Sequence, residues 1–373
     1  MAIISFLTGY ILPFICVLSL IVFVHEMGHY LVGRWSGIRV LAFSIGFGPE
    51  LLGFNDRHGT RWKLSLIPLG GYVRFFGDAD SSSKADGTEL DAMTPQERAQ
   101  TLAGAALWKR AATVAAGPIA NFLLAIVIFS ITLGILGKPV SDPVVAEVRA
   151  DGVAAAAGVE PGDILVSLDG EAVRTFDDVV RYISLRPGVS IDVKVRRGDS
   201  LMVLPMTPRR VTTTDRFGNK VELGQIGIVT TQQSGNFRVE KLSPGRALVE
   251  GVRQTGAVVT STFDYIKGMV AGRMSADQLG GPIRVAQTSG QVATLGVAAL
   301  LQLAAVLSVS IGLLNLMPIP VLDGGHLILY ALEAVRGRPI SAAAQEVAFK
   351  VGLAMILSLM VFATWNDLSH LIG

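Results

Sequence analysis

Four stretches of the chain hold almost nothing but apolar side chains over the length a bilayer core demands, roughly 20 residues per helix. They are residues 5–33, about 111–136, about 295–317 and about 348–364. The alternative for any one of them taken alone is a buried core helix. Four in one chain predict membrane-spanning helices.

The blocks between them carry other periods. In "TRWKLSLIPLGGYVRFFG", residues 60–77, polar and apolar positions alternate, and the Pro-Leu-Gly-Gly break predicts strand, turn and strand. Residues 80–97, "DSSSKADGTELDAMTPQE", are polar and turn-rich and predict a loop without chemistry. From about 141 to 212 short strands at "VVAEV", "DILVSLDG", "SIDVKVRRG" and "LMVLPMT" surround a helical pattern at "TFDDVVRYISL", which predicts a small β-rich domain. Residues 246–290 begin with amphipathic helical spacing and are interrupted by Gly-Gly-Pro at 280–282.

Composition agrees with the spans. Of 373 residues 50% are hydrophobic and 17% charged, and the mean hydropathy is +0.51, too apolar for an ordinary soluble domain. A net charge of +2 with no basic cluster argues against a nucleic-acid partner. The single cysteine, Cys16, excludes an intrachain disulfide. The first apolar run has no basic residues before it and no small-residue cleavage site after it, so it reads as a retained span. Arg34, Arg39, Arg98, Lys109, Arg110, Arg336 and Arg338 flank the runs, and the positive-inside rule then places 34–110 and 332–347 in the cytoplasm. Both termini and residues 138–294 fall on the far side.

Chemistry enters at "FVHEMGHYLVG", residues 23–33. His25 and His29 share one helix face, so both imidazoles can reach one metal ion, and Glu26 beside them can act as general base toward metal-activated water. These side chains follow sixteen residues of "GYILPFICVLSLIVFV". A charged group in a span costs at least about 2.5 kcal/mol, and a metal satisfies all three together. A catalytic zinc wants a third protein ligand, and "NLMPIPVLDGGH", residues 315–326, offers Asp323 or His326. Asp323 is the only acid between residues 278 and 332, and Pro318 and Pro320 break the helix before it, which favours Asp323 as the ligand. The bland alternative is that Asp323 caps the following helix.

Two resemblances follow from these motifs. "GVEPGDILVSLDGEAV", residues 158–173, looks like the signature of bacterial PDZ domains, which bind extended or C-terminal peptide segments by strand addition. The combination of "HEMGH", "GPIANF", "GGPI" and "NLMPIPVLDGGH" resembles the site-2 protease family of intramembrane zinc metalloproteases, nearest to its RseP-like bacterial branch but with one recognisable PDZ domain instead of two. The resemblance implies one zinc per chain on His25, His29 and Asp323, with Glu26 activating water. It implies substrate contacts at Asn315, Pro318 and Pro320, and at Gly70, Gly71 and Tyr72 of a membrane-associated β-hairpin at about 60–77. The expected fold is a polytopic α-helical membrane protein with about four transmembrane helices, that hairpin and an inserted PDZ-like domain. The expected division is 1–137 for the first two spans, 138–245 for the PDZ-like domain and linker, 246–292 for an amphipathic periplasmic segment and 293–373 for the last two spans. The implied activity is cleavage within transmembrane segments of single-span proteins at the bacterial inner membrane, with the PDZ-like domain and both termini periplasmic. A non-enzymatic alternative is a zinc-binding scaffold that recruits partners through the PDZ domain; Glu26, which a structural zinc site does not need, speaks against it.

Overall fold

A computed structural model of the chain describes residues 7–78, 93–214, 220–230, 237–274 and 280–372. Eight principal helices run in chain order: α1 Leu12–Trp35, α2 Leu107–Leu136, α3 Phe176–Ser184, α4 Pro244–Val270, α5 Pro282–Ala293, α6 Val297–Asn315, α7 Asp323–Arg336 and α8 Ala342–Ile372. Twelve strands accompany them: β1 Val40–Asn55, β2 Arg61–Phe75, β3 Lys138–Ser141, β4 Glu147–Val148, β5 Ile164–Leu168, β6 Glu171–Ala172, β7 Ile191–Arg197, β8 Ser200–Met206, β9 Arg209–Thr214, β10 Lys220–Gln225, β11 Ile228–Val229 and β12 Phe237–Glu240. The chain divides into two compact units, one of residues 1–129 and 280–373, the other of 130–279.

In the first unit, four helices among the described residues are long and apolar enough to cross a membrane: Thr8–Trp35, Leu107–Leu136, Val297–Asn315 and Ala343–Ser369. Their outward faces stay apolar, as a lipid solvent requires, while small or polar residues turn inward: Asn121, Ser308 and Ala305 are fully buried. The helix α5 packs among α1, α6 and α8. Its N-terminal amides, at Gly281, Ile283 and Arg284, are capped by the carboxylate of Asp367 on α8 at 2.8–3.1 Å.

The hairpin expected over residues 60–77 is corrected. Residues 61–75 form one bent strand, and its two arms do not pair with each other. They lie on opposite sides of Ala42–Ile45, which faces Arg74–Gly71 on one side and Arg61–Leu64 on the other, while Glu50–Asn55 pairs with Ser65–Arg61. The Pro-Leu-Gly-Gly break is the bend that carries the chain across the strand between, with Gly70 at φ +102°. Phe43, Val73 and Phe75 form the buried face of this sheet with Tyr30 of α1. At its far end Leu51, Leu52, Phe54, Leu66 and Ile67 are exposed. Most of the loop expected at 80–97 lies outside the described residues. Of its remainder, Pro95–Arg98 forms a helical turn under a Thr94–Glu97 capping box.

The second unit is β-rich. The antiparallel sheet β6-β5-β7-β8 buries Leu165, Leu168, Ile191, Val193 and Val195 against Val179 and Ile183 of α3. Along β7 buried and exposed positions alternate, as a half-covered strand requires. The tight turn between β5 and β6 has both Asp169 and Gly170 in the left-handed region, which suits a two-residue hairpin. Asp163 is 1% exposed and is held by Arg197 in a bidentate pair at 2.8 Å and by the Glu160 amide. The described residues between 246 and 290 fall mainly in two helices, α4 in this unit and α5 in the first.

Candidate metal centre

A helix turn stacks His25 over His29 on α1, with ring centroids 4.8 Å apart and planes at 82°. Their Nε2 atoms stand 3.2 Å apart. From the other end of the sequence, Asp323 brings Oδ2 to 3.2 Å from Nε2 of His25 and 3.6 Å from Nε2 of His29. Asp323 opens α7 without capping it: Leu322 is the N-cap and no side-chain cap bond forms. The irregular "LMPIPVL" segment before it folds back tightly. A methyl group on Gly325 would meet Pro320 Cα at 2.5 Å, so the Gly-Gly pair permits the approach that delivers the carboxylate.

The helix α2 supplies the rest of the cradle. The Thr113 carbonyl lies 2.9 Å from Nδ1 of His29. A carbonyl only accepts, so Nδ1 carries the hydrogen and Nε2 presents its lone pair to the cluster. Nδ2 of the Asn121 side-chain amide stands 3.2 Å from Nδ1 of His25, and Ser308 Oγ donates to the Asn121 backbone carbonyl at 2.9 Å. With the amide turned so that Oδ1 accepts from Nδ1–H, His25 is fixed in the same tautomer, and Oδ1, otherwise buried without a partner, is satisfied. Gly117 lies one turn before Asn121. A methyl group there would stand 2.9 Å from Cε1 of His25 and would overlap the His29 ring.

These donors fit a metal ion. Ligand atoms on zinc, at about 2.0–2.2 Å, lie about 3.3–3.6 Å from one another in a tetrahedron. The three edges here are 3.2, 3.2 and 3.6 Å. Two imidazoles and a carboxylate form a mixed nitrogen–oxygen set of the kind catalytic zinc uses, and Asp323 Oδ2 is buried without a hydrogen-bond donor. His326 lies outside the cluster and lines the same cavity.

That cavity, about 200 Å³, is also lined by Glu26, Gly71, Tyr72, Asn315 and Tyr330. The Gly71–Phe75 arm of β2 runs directly beside Glu26. Gly71 makes this approach possible, since a Cβ there would stand 3.1 Å from Glu26 Cγ. Of the six residues expected to contact substrate, Asn315, Gly71 and Tyr72 line the cavity, whereas Gly70, Pro318 and Pro320 do not. Gly70 packs on Phe47, and Pro320 on Gly325. Sequence reasoning passed over Thr113, Gly117 and Asn121 as parts of the site. Their signal was the "GPIANF" motif and one asparagine in an apolar run.

The sequence pattern of peptidase family M50 matches residues 13–359. A protein of Agrobacterium fabrum named as a candidate zinc metalloprotease is 69% identical over 373 residues, covering 100% of this chain and 99% of that protein. One of Rhizobium meliloti with the same description is 60% identical over 365 residues and 98% of each chain. The metalloprotease MmpA of Caulobacter vibrioides is 39% identical over 377 residues, covering 95% of this chain and 94% of its own length.

Proposed function

The chain belongs to peptidase family M50, the site-2 protease family of membrane zinc metalloproteases, and from that premise we propose that it hydrolyses peptide bonds within the transmembrane segments of single-span proteins, using one zinc ion held by His25, His29 and Asp323. The observation that carries this reading is the convergence of those three donor atoms within 4.8 Å, in a cavity that Glu26 also lines. Zinc, when bound, polarises the scissile carbonyl and brings the pKa of its water near neutrality.

The remaining work falls to the chain's own groups. Glu26 takes a proton from the attacking water and passes it to the leaving amide nitrogen. A transmembrane helix conceals its carbonyls in its own hydrogen bonds, so the substrate must unwind before attack. Among the described residues, the Gly71–Phe75 arm of β2 pairs with β1 along one edge only. Its other edge offers backbone partners to an extended substrate segment beside Glu26, with Tyr72 and Asn315 contacting the strand. The exposed Leu51, Leu52, Phe54, Leu66 and Ile67 support membrane contact by this sheet.

In the second unit a cavity of about 240 Å³ lies between α3 and β11, lined by Phe176, Val179, Ile183, Ile226 and Ile228. An apolar groove beside a short strand suits an extended peptide or C-terminus, which is the role assigned here to the PDZ-like domain. The arginine and lysine distribution supports an inner-membrane protein with residues 34–110 in the cytoplasm and the second unit outside. Substrates of this class include membrane-anchored anti-sigma factors and remnant signal peptides.

The test is cleavage of a tagged single-span protein by detergent-purified enzyme, beside a Glu26→Gln variant of matched zinc content. The parent cuts within the span and the variant loses at least about 100-fold in rate. Equal cleavage by the variant removes Glu26 from its role, and zinc in the parent without a protein-dependent cut removes the protease reading.

A further inference from the structure

Ten residues beyond Asp323 on α7, Glu333 meets Arg110 of α2 across 223 positions of sequence. The contact is bidentate, Nη1 to Oε1 at 3.1 Å and Nη2 to Oε2 at 2.7 Å, and both side chains are about one-sixth exposed or less. The guanidinium also lies over the ring of Tyr330, 4.4 Å from its centroid. Asp323, His326, Tyr330 and Glu333 follow one another at spacings of three, four and three, so they form a single stripe along α7. Its first member meets the two histidines and its last is gripped by Arg110.

The other end of the grip is the helix that orients the histidines. Thr113 and Asn121, which contact Nδ1 of His29 and of His25, lie three and eleven residues after Arg110 on α2. The fork therefore joins the helix that carries the aspartate to the helix that packs against both histidines. Stability alone is a poor reason for this pair. Buried ion pairs are often replaceable by apolar residues without loss, and here the guanidinium Nε is left buried with no partner among the described residues. What a planar fork gives, and an apolar contact does not, is a fixed rotation of α7 about its own axis.

We infer that Arg110 is a positioning residue for the metal centre: through its fork on Glu333 and its stacking on Tyr330 it sets the rotation of α7 and so the place of Asp323 opposite His25 and His29. This rests on the reading of His25, His29 and Asp323 as zinc ligands. Arg110 touches neither substrate nor metal. Lysine cannot replace it, because an ammonium makes no two-pronged contact and stacks poorly.

The experiment measures zinc release from full-length protein in detergent, loaded with zinc and challenged with excess chelator. Parent is compared with the double variant Arg110→Met, Glu333→Met, which removes both charges and leaves none stranded, and with Arg110→Lys. Melting temperature is followed in parallel. The inference expects both variants to melt close to the parent and to release zinc about ten-fold faster, in the range that loss of outer-shell support produces. A folded double variant that releases zinc within two-fold of the parent rate overturns it and leaves the pair a packing feature. If the double variant does not fold, Arg110→Lys decides on the same criterion. A parent that binds no zinc, or that binds it equally well as His25→Ala, refutes the ligand reading itself, which separates that failure from failure of the clamp.

Discussion

Gly117→Ala sets two effects of opposite sign against each other at one atom. In the middle of α2, replacing glycine by alanine favours the helix by about 1 kcal/mol and on its own raises the melting temperature. The added methyl group, however, stands 2.9 Å from Cε1 of His25 and overlaps the His29 ring. Ordinary contact begins near 3.4 Å, so the His25 ring must retreat by about 0.5 Å and the His29 ring by more. Metal–ligand bonds tolerate about 0.2 Å. Neither imidazole can meet that limit while its Nδ1 hydrogen bond holds it, and the centre loses a ligand. The expected outcome is a variant that folds with unchanged or raised melting temperature and binds zinc at least about 100-fold more weakly, a loss of about 2.7 kcal/mol. Zinc per chain after dialysis at graded free zinc, measured by elemental mass spectrometry beside a thermal melt, reads both quantities. An alanine variant with parent zinc affinity refutes the argument that Gly117 exists to admit the imidazoles; a variant that loses zinc only because it unfolds shows the clash taken up by the backbone instead.

Three further outcomes follow from the same geometry. Asn121→Leu weakens zinc binding about 10–100-fold by removing the acceptor at Nδ1 of His25, and Asn121→Asp recovers part of the loss; equal affinities in all three proteins would sink the assignment. In the second unit, hydrogen bonds from Arg197, against an opposing effect of burial, hold the Asp163 carboxyl below the usual aspartate range. Its folded value lies under the unfolded one, near 3.9, so the stability it contributes is full above about pH 3.9 and is lost as pH falls through the folded value. Protection from deuterium exchange over residues 160–197 of the full-length protein, taken relative to the intrinsic rate at each pH, therefore falls in that acid window, and Arg197→Gln lowers protection at pH 7 and flattens the acid dependence; an unchanged profile refutes the pairing as a stabilising contact.

What the sequence displayed and what it concealed divide along physical lines. His25, Glu26, His29 and Asp323 stood out because ionisable groups are costly in apolar runs, and the helix period alone put the two imidazoles on one face. The apolar runs and the alternating strands of the second unit were legible for the same reason, since burial against lipid or core leaves a period. β1 was not. "VLAFSIGFGPELLGFN" lacks strict alternation and is punctuated by Gly46, Gly48, Pro49 and Gly53, so nothing announced a strand that lies between the two arms of β2. Without it, the alternation in residues 60–77 read as a hairpin paired with itself. The supports of the centre escaped for another reason: Thr113 acts through its carbonyl and Gly117 through the space it leaves, and neither property belongs to a side chain. Arg110 and Glu333 resembled ordinary flanking charges, because a pair separated by 223 residues has no local signature.

Hydrogen-bond accounting in the structure converges on the same place. A polar atom on a spanning helix must find its partner within the protein, since lipid offers none. Ser308 bonds the Asn121 carbonyl, and Asp367 caps α5. Among the described residues four buried side-chain atoms lack a partner: Arg110 Nε, Asn121 Oδ1, Asp323 Oδ2 and Arg273 Nε. Asp323 Oδ2 stands against the histidine pair, Asn121 Oδ1 belongs to the side chain whose Nδ2 faces His25, and Arg110 sits on the clamp that grips the Asp323 helix. Chance would scatter such atoms along the chain. A metal ion between the imidazoles would satisfy the Asp323 oxygen, and an Asn121 amide turned so that Oδ1 accepts the His25 Nδ1 hydrogen would satisfy the other while leaving Nε2 free to face that ion.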